Sequence, residues 1–185
     1  MDLAAGEPVP GGDGLVKKVE KPDTRKAIRM TQAEARQWLE KGDNCSLATI
    51  DRDGYPHVVA MAYAVDNGDI VMTSFAKAQK VINLRRNPHA AIMVESGKAY
   101  HLLKGVMVRG RAAISEDTDQ VLEVLSLVSR RMTGASGSTA QPTDRTVNDP
   151  IAQQARRLAA KRVVIRIHPE KWASWDHSKL PAGKY

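Results

Sequence analysis

Thr73, Ser74, Lys77 and Lys80 fall in one short segment, and their types suit an anion. They follow an apolar run, Ile70, Val71 and Met72, that reads as a buried strand. Residues 76–86 then place Ala78, Val81, Ile82 and Arg85 at helical spacing, with Pro88 just beyond. Thr73 and Ser74 are expected to cap that helix, while Lys77 and Lys80, three apart, share a face near its start. The unpaired N–H groups of a first turn and the positive end of the helix dipole would converge on the same point. The chemistry such a junction serves is phosphate binding. The plain alternative is an ordinary strand-to-helix junction with a solvated lysine face.

Other chemistries find less support. His57, His89, His101, His168 and His177 lack metal-ligand spacing, and the single cysteine, Cys45, excludes an internal disulfide or a multi-cysteine metal site. Cys45 reads as a small buried apolar residue. No Ser-His-Asp set, paired carboxylates or G-x-S-x-G is present. A net charge of +7 and a pI near 9.6 favour anionic partners. Nucleic acid is the weaker candidate, because one Phe, four Tyr and three Trp leave few bases to stack and no helix-turn-helix or zinc-finger signature appears. No run is apolar for the roughly 18 residues that a membrane span needs. Residues 1–14 lack the pattern of a secretory signal, which makes the cytoplasm the economical compartment.

The elements that must hold the junction follow in order. Residues 1–26 are Gly-, Pro- and charge-rich without apolar period and are expected to be a disordered arm before a domain over 27–180. Thr31 and Glu34 make a capping box for a short amphipathic helix with Ala35, Trp38 and Leu39 inward and Gly42 at its end. From Cys45 the period becomes two. Strands are expected over 45–50, 57–65, 70–72, 89–94, 100–103 and 106–114, the last alternating Val106, Val108, Gly110, Ala112 and Ile114 with Met107, Arg109 and Arg111. Asn67-Gly68 is a hairpin signal, since both residues tolerate positive φ. Ser115 is expected to cap a helix to about Met132 that buries Val121, Leu122, Leu125 and Val128. Residues 133–147 form a Gly/Ser/Thr-rich flexible loop, and Asp149-Pro150 opens a helix through Leu158. A final strand over 162–167 is expected to stop at His168-Pro169, before a tail whose last residues are 181–185. About six mostly hairpin-linked strands with inserted helices make a mainly β antiparallel barrel with peripheral α elements.

This order of motifs resembles the pyridoxamine 5′-phosphate oxidase-like split-barrel family, whose members bind FMN or the deazaflavin coenzyme F420. The pieces that carry the resemblance are SLATIDRDGYPHVVAMAY, TSFAKAQKVINLRRNPHAAIMVE, GVMVRGRAAI and RIHPEKWASWD. It implies a six-stranded antiparallel split barrel. Thr73, Ser74, Gln79 and Lys80, helped by Lys77, would be phosphate ligands, and Val59, Ala60 and Met61 would flank the ring system. It also implies a homodimer with cofactor at the subunit interface, closed by Trp172 or Trp175 of the partner chain. Read from the residues alone, those tryptophans could equally cap the barrel.

FMN-dependent oxidases of the family carry Arg and Lys where this chain has Val58 and Tyr63. The resemblance therefore favours F420, with FMN the alternative. It implies hydride transfer between the cofactor and a small unsaturated or conjugated organic molecule, with Tyr63 a proton donor if its hydroxyl reaches the cleft. A flavin- or haem-sequestering protein without turnover, a haem-degrading relative, and a nucleic-acid-associated barrel using Lys77, Lys80, Arg85 and Arg86 are the competing readings.

Overall fold

The computed structural model describes residues 23–133 and 150–181. Residues 1–22 of the expected arm, residues 134–149, which hold the expected loop and the expected Asp149 cap, and residues 182–185 lie outside the described residues. In chain order the elements are α1 (Thr24–Ala27), α2 (Gln32–Lys41), β1 (Asn44–Ile50), β2 (Pro56–Ala62), β3 (Ala64–Asp66), β4 (Asp69–Phe75), α3 (Gln79–Arg86), β5 (His89–Ser96), β6 (Lys104–Ser115), α4 (Thr118–Thr133), α5 (Pro150–Ala159) and β7 (Arg162–Asp176). The strands form one sheet in the order β2-β1-β5-β6-β7-β4-β3, every neighbouring pair antiparallel.

That order closes the sheet. β2 and β3 are its opposite edges, yet only Tyr63 separates them in sequence. Two trans peptides span at most about 7.6 Å between Cα atoms, so the edges must come together. The result is a split barrel, mainly β with helices around it. It has seven strands because the expected run 57–65 breaks at Tyr63. There the side chain is fully buried, and its hydroxyl donates to the Leu39 carbonyl at 2.5 Å. The β3–β4 hairpin turns on Asn67 (φ 50°) and Gly68 (φ 88°), the pair of positive values that a type I′ turn requires.

Alternation divides the apolar residues between two cores. Ile70 and Met72 of β4, with Val163, Ile165 and Ile167 of β7, point into the barrel, where Leu39 of α2 and Val81 and Leu84 of α3 join them. Val71 and Val164 point the other way and pack with Val121 and Val124 of α4 and Ala159 of α5. Burying each such aliphatic side chain contributes about 1.5–3 kcal/mol. Leu122, Leu125 and Val128 only flank this second core, and Val124 is the fully buried residue that the periodicity missed. Asp117, rather than Ser115, caps α4, accepting from the N–H groups of Asp119 and Gln120 at 2.8 and 3.1 Å. The capping box of α2 forms as expected.

β7 departs most from the sequence pattern. It does not stop at His168-Pro169 but runs on through Asp176, pairing with β6 along its whole length. A bulge makes this possible. Arg109 faces Lys171 and Gly110 faces Pro169, so Glu170 is the extra residue, and the missing N–H of proline falls where the ladder is already interrupted. Gly110 is obligatory at this crossing, because a Cβ there would lie 2.0 Å from the His168 carbonyl oxygen. Two smaller differences complete the fold. Residues 100–102 form a 3₁₀ turn rather than a strand, and Thr24–Ala27, inside the expected arm, form a helical turn capped by Asp23. No described helix is long and apolar enough to cross a membrane.

Candidate functional site

The β4–α3 junction is built differently from the expected capped helix. β4 extends to Phe75, so Thr73 and Ser74 are strand residues and neither caps α3. Ser74 follows Met72 toward the barrel interior and is buried, whereas Thr73 shares the opposite face with Val71. Their side chains therefore leave opposite faces of β4. A turn then closes through Ala78 N–H to the Phe75 carbonyl at 2.9 Å, leaving Lys77 exposed ahead of the helix rather than on its face.

α3 begins at Gln79. Its N-cap, Ala78, offers no side-chain acceptor. Among the described residues no acceptor pairs with the N–H groups of Gln79 or Lys80, the first two of the helix. Lys80 stands half-buried beside them without a carboxylate partner among the described residues, and burial holds its ammonium below the usual lysine pKa. Open N–H donors, the positive end of the helix dipole and a partly desolvated lysine therefore all belong to the first turn of α3.

A hydrogen-bonded ladder ties this point to β2. Gln79 Nε2 donates to Asn83 Oδ1 at 2.8 Å, Asn83 Nδ2 donates to Thr49 Oγ1 at 3.1 Å, and the Thr49 hydroxyl donates to the His57 carbonyl at 3.4 Å. Asn83 is 0% and Thr49 1% exposed, so both polar groups are held wholly inside the protein. His57 stands opposite Thr49 in the β1–β2 register, and its Nδ1 is buried without a hydrogen-bond partner in the structure. That is a polar atom still owed a contact. Val59 and Met61 lie on the same face of β2 and pack against the barrel core, while Ala60 faces outward and is exposed. Asn83 and His57 were invisible to pattern reasoning. A lone Asn within an apolar helix face and a His without ligand spacing become informative only once their neighbours are known.

Three expectations fare differently. Tyr63 is no proton donor: burial pushes its hydroxyl up to about 12, and its proton is committed to Leu39. Arg131 lies 4.0 Å from the centroid of its ring and donates to the Leu39 and Gly42 carbonyls, so the cluster closes the end of α2. Trp172 and Trp175 lie on the half of β7 away from the junction, and Trp172 packs against the barrel core. β7 crosses Ser74 at Val163, and Trp172 lies nine residues farther along, roughly 30 Å of strand. Trp175 rests on Gly105 of β6, where an added Cβ would meet its ring at 2.3 Å. Cys45 is buried, and burial pushes its thiol up to about 12, as befits a core residue.

The model of the pyridoxamine 5′-phosphate oxidase family matches residues 31–176. The chain belongs to that family. Among solved structures it is similar to the conserved hypothetical protein Rv2991 from Mycobacterium tuberculosis, with 35% identity, a TM-score of 0.71, and 87% of this chain and 95% of that one covered. An F420 reductase matches at 26% identity and a TM-score of 0.53, covering 74% and 94% of the two chains. An FAD-binding protein from Mesorhizobium loti shares the fold at 22% identity and a TM-score of 0.56, with 78% and 94% covered. No curated protein matches the sequence.

Proposed function

We propose that the protein is an oxidoreductase that holds coenzyme F420, or alternatively FMN, by its phosphate at the β4–α3 junction and by its ring along β2. The observation that carries this reading is the buried ladder Gln79–Asn83–Thr49–His57, which locks the open helix N-terminus to the candidate ring strand. The donor set fits an anionic, planar group. Lys80 and the N–H groups of Gln79 and Lys80 would receive the phosphate, with Ser74 and Thr73 at the strand end and Lys77 adding exposed charge. The open edge of β2 at Val59, Ala60 and Met61 would run along the ring, and the unpartnered His57 Nδ1 would meet a polar atom on the ring's edge.

Such a cofactor, when bound, supplies hydride transfer to a small unsaturated or conjugated acceptor. The chain's own part is to anchor, orient and shield. With the Tyr63 hydroxyl committed to Leu39, the proton for the acceptor comes from water. F420 is preferred over FMN because the places where FMN oxidases of the family carry cations hold Val58, 58% exposed, and buried Tyr63. A second copy of the chain would complete the site with its Trp172 or Trp175, since in its own chain each tryptophan sits on the half of β7 remote from Ser74.

The test is titration of wild type and Lys80→Ala with F420 and with FMN, followed by absorbance and fluorescence. Loss of one charge-assisted contact of about 1.5–3 kcal/mol lowers affinity by roughly 10- to 150-fold. Equal binding by the two proteins refutes the anchoring role, and no binding of either cofactor refutes the function. Return of the oxidised cofactor's visible absorbance when an acceptor is added anaerobically to the bound reduced cofactor distinguishes an enzyme from a carrier.

A further inference from the structure

The outer face of the sheet carries a feature that the cofactor reading does not use. A cleft of about 440 Å³ opens over β1, β5, β6 and the bulge of β7. Its floor is apolar, made by Ala48, Ile50 and Ala91, and its rim by His89, Arg109, Lys171 and Glu170. It lies on the opposite face of β1 from Thr49, since Ala48 and Ile50 alternate with that buried residue.

Arg109 and Lys171 are direct cross-strand partners, both exposed, at the edge of the bulge. Like charges placed opposite one another destabilise a sheet. Two residues along β6, Arg111 stands just outside the cleft's lining but pairs with the rim residue His89 and lies 3.2 Å from its Nε2. His89 Nδ1 is 2.9 Å from Asn87 Oδ1, so it carries the proton and Nε2 accepts from the guanidinium. His89 thus steers Arg111 without neutralising it. Among the described residues none of the three cations has a carboxylate partner, and Glu170 is the one acid on the rim. Uncompensated repulsion held beside an apolar cleft is a binding site's signature rather than a fold's requirement. The two cationic positions are about 7 Å apart along the strand, a spacing that two carboxylates on one short body match.

We propose that this cleft binds a small organic acid with two carboxylates about 7 Å apart on a short apolar body. The carboxylates take Arg109 with Lys171 at one end and Arg111 at the other, while the body covers Ala48, Ile50 and Ala91.

The probe is adipate, titrated calorimetrically into the full-length protein at fixed ionic strength, with hexanoate and inorganic phosphate as controls. Adipate is expected to bind at least tenfold more tightly than either control. Arg109→Gln and Lys171→Gln each lose tenfold or more, Glu170→Gln binds more tightly, and Lys80→Ala binds as wild type, which separates this cleft from the cofactor junction. Without any anion, Arg109→Gln and Lys171→Gln should melt about 1–3 °C higher than wild type, because the repulsion is gone. Adipate binding no better than hexanoate, or unchanged binding in Arg109→Gln and Lys171→Gln, overturns the proposal. So does conversion of a dimer to monomer by those substitutions with no adipate effect, since the cations then serve a subunit contact.

Discussion

Replacing Asn83 with alanine tests whether the buried ladder organises the site. The side chain is 0% exposed and makes two short hydrogen bonds, to Gln79 at 2.8 Å and Thr49 at 3.1 Å, and a longer one from Arg86 at 3.5 Å. Each is worth about 1 kcal/mol net, and the space left by the amide adds a further fraction. Gln79 is exposed and can turn to water, whereas Thr49 cannot, so the loss is carried on the inner side of the ladder. The expected destabilisation is about 2–3 kcal/mol, or roughly 4–12 °C in melting temperature for a chain of this size. Urea unfolding of Asn83→Ala, Thr49→Val and the double variant should give a coupling of about 1 kcal/mol between the two residues. Cofactor titration of the folded Asn83→Ala protein should show weaker binding, because the α3 N-terminus is no longer held to β2. A loss below about 0.5 kcal/mol, or a full loss of stability with unchanged cofactor affinity, would refute the positioning argument.

Gly110→Ala drives a Cβ to within 2.0 Å of the His168 carbonyl, and thermal unfolding should show about 2–3 kcal/mol of destabilisation; a neutral result would mean that the β6–β7 bulge is wrongly placed. Tyr63→Phe removes the bond to Leu39, whose carbonyl still accepts from Arg131 at 2.6 Å, so stability falls by about 1 kcal/mol and the pH profile of any turnover stays put. The bond to Lys179, and those to Thr31, hold the Glu34 carboxyl down at about 2 rather than its ordinary 4.5. Its folded pKa is the lower one, so its stabilisation is complete above about 4.5 and disappears as pH falls toward 2. Melting curves of wild type and Glu34→Gln should therefore differ at pH 6 and converge near pH 2; parallel curves throughout would remove the pairing with Lys179.

Local chemistry alone was enough for much of this protein. The Thr31–Glu34 capping box, the Asn67-Gly68 hairpin and the in-out alternation of β6 each depend on residues a few positions apart, and each forms as the sequence implies. The order of those elements was sufficient to indicate the barrel and, through its motifs, the family. Tertiary structure decided what depends on partners distant in sequence. Pro169 should end a strand by local rules, yet β7 bulges opposite Gly110 of β6, and the bulge absorbs its missing donor. Thr73 and Ser74 looked like a helix cap, but β7 pairs with both and extends β4 past them. Tyr63 looked like an acid near the cleft until Leu39 and Arg131 enclosed it. Asn83 is 34 residues from Thr49, and His57 gains its meaning only from the strand laid opposite. A sequence displays periodicity and caps because those are short-range; it cannot display a buried polar contact whose partner is brought to it by closure of a sheet.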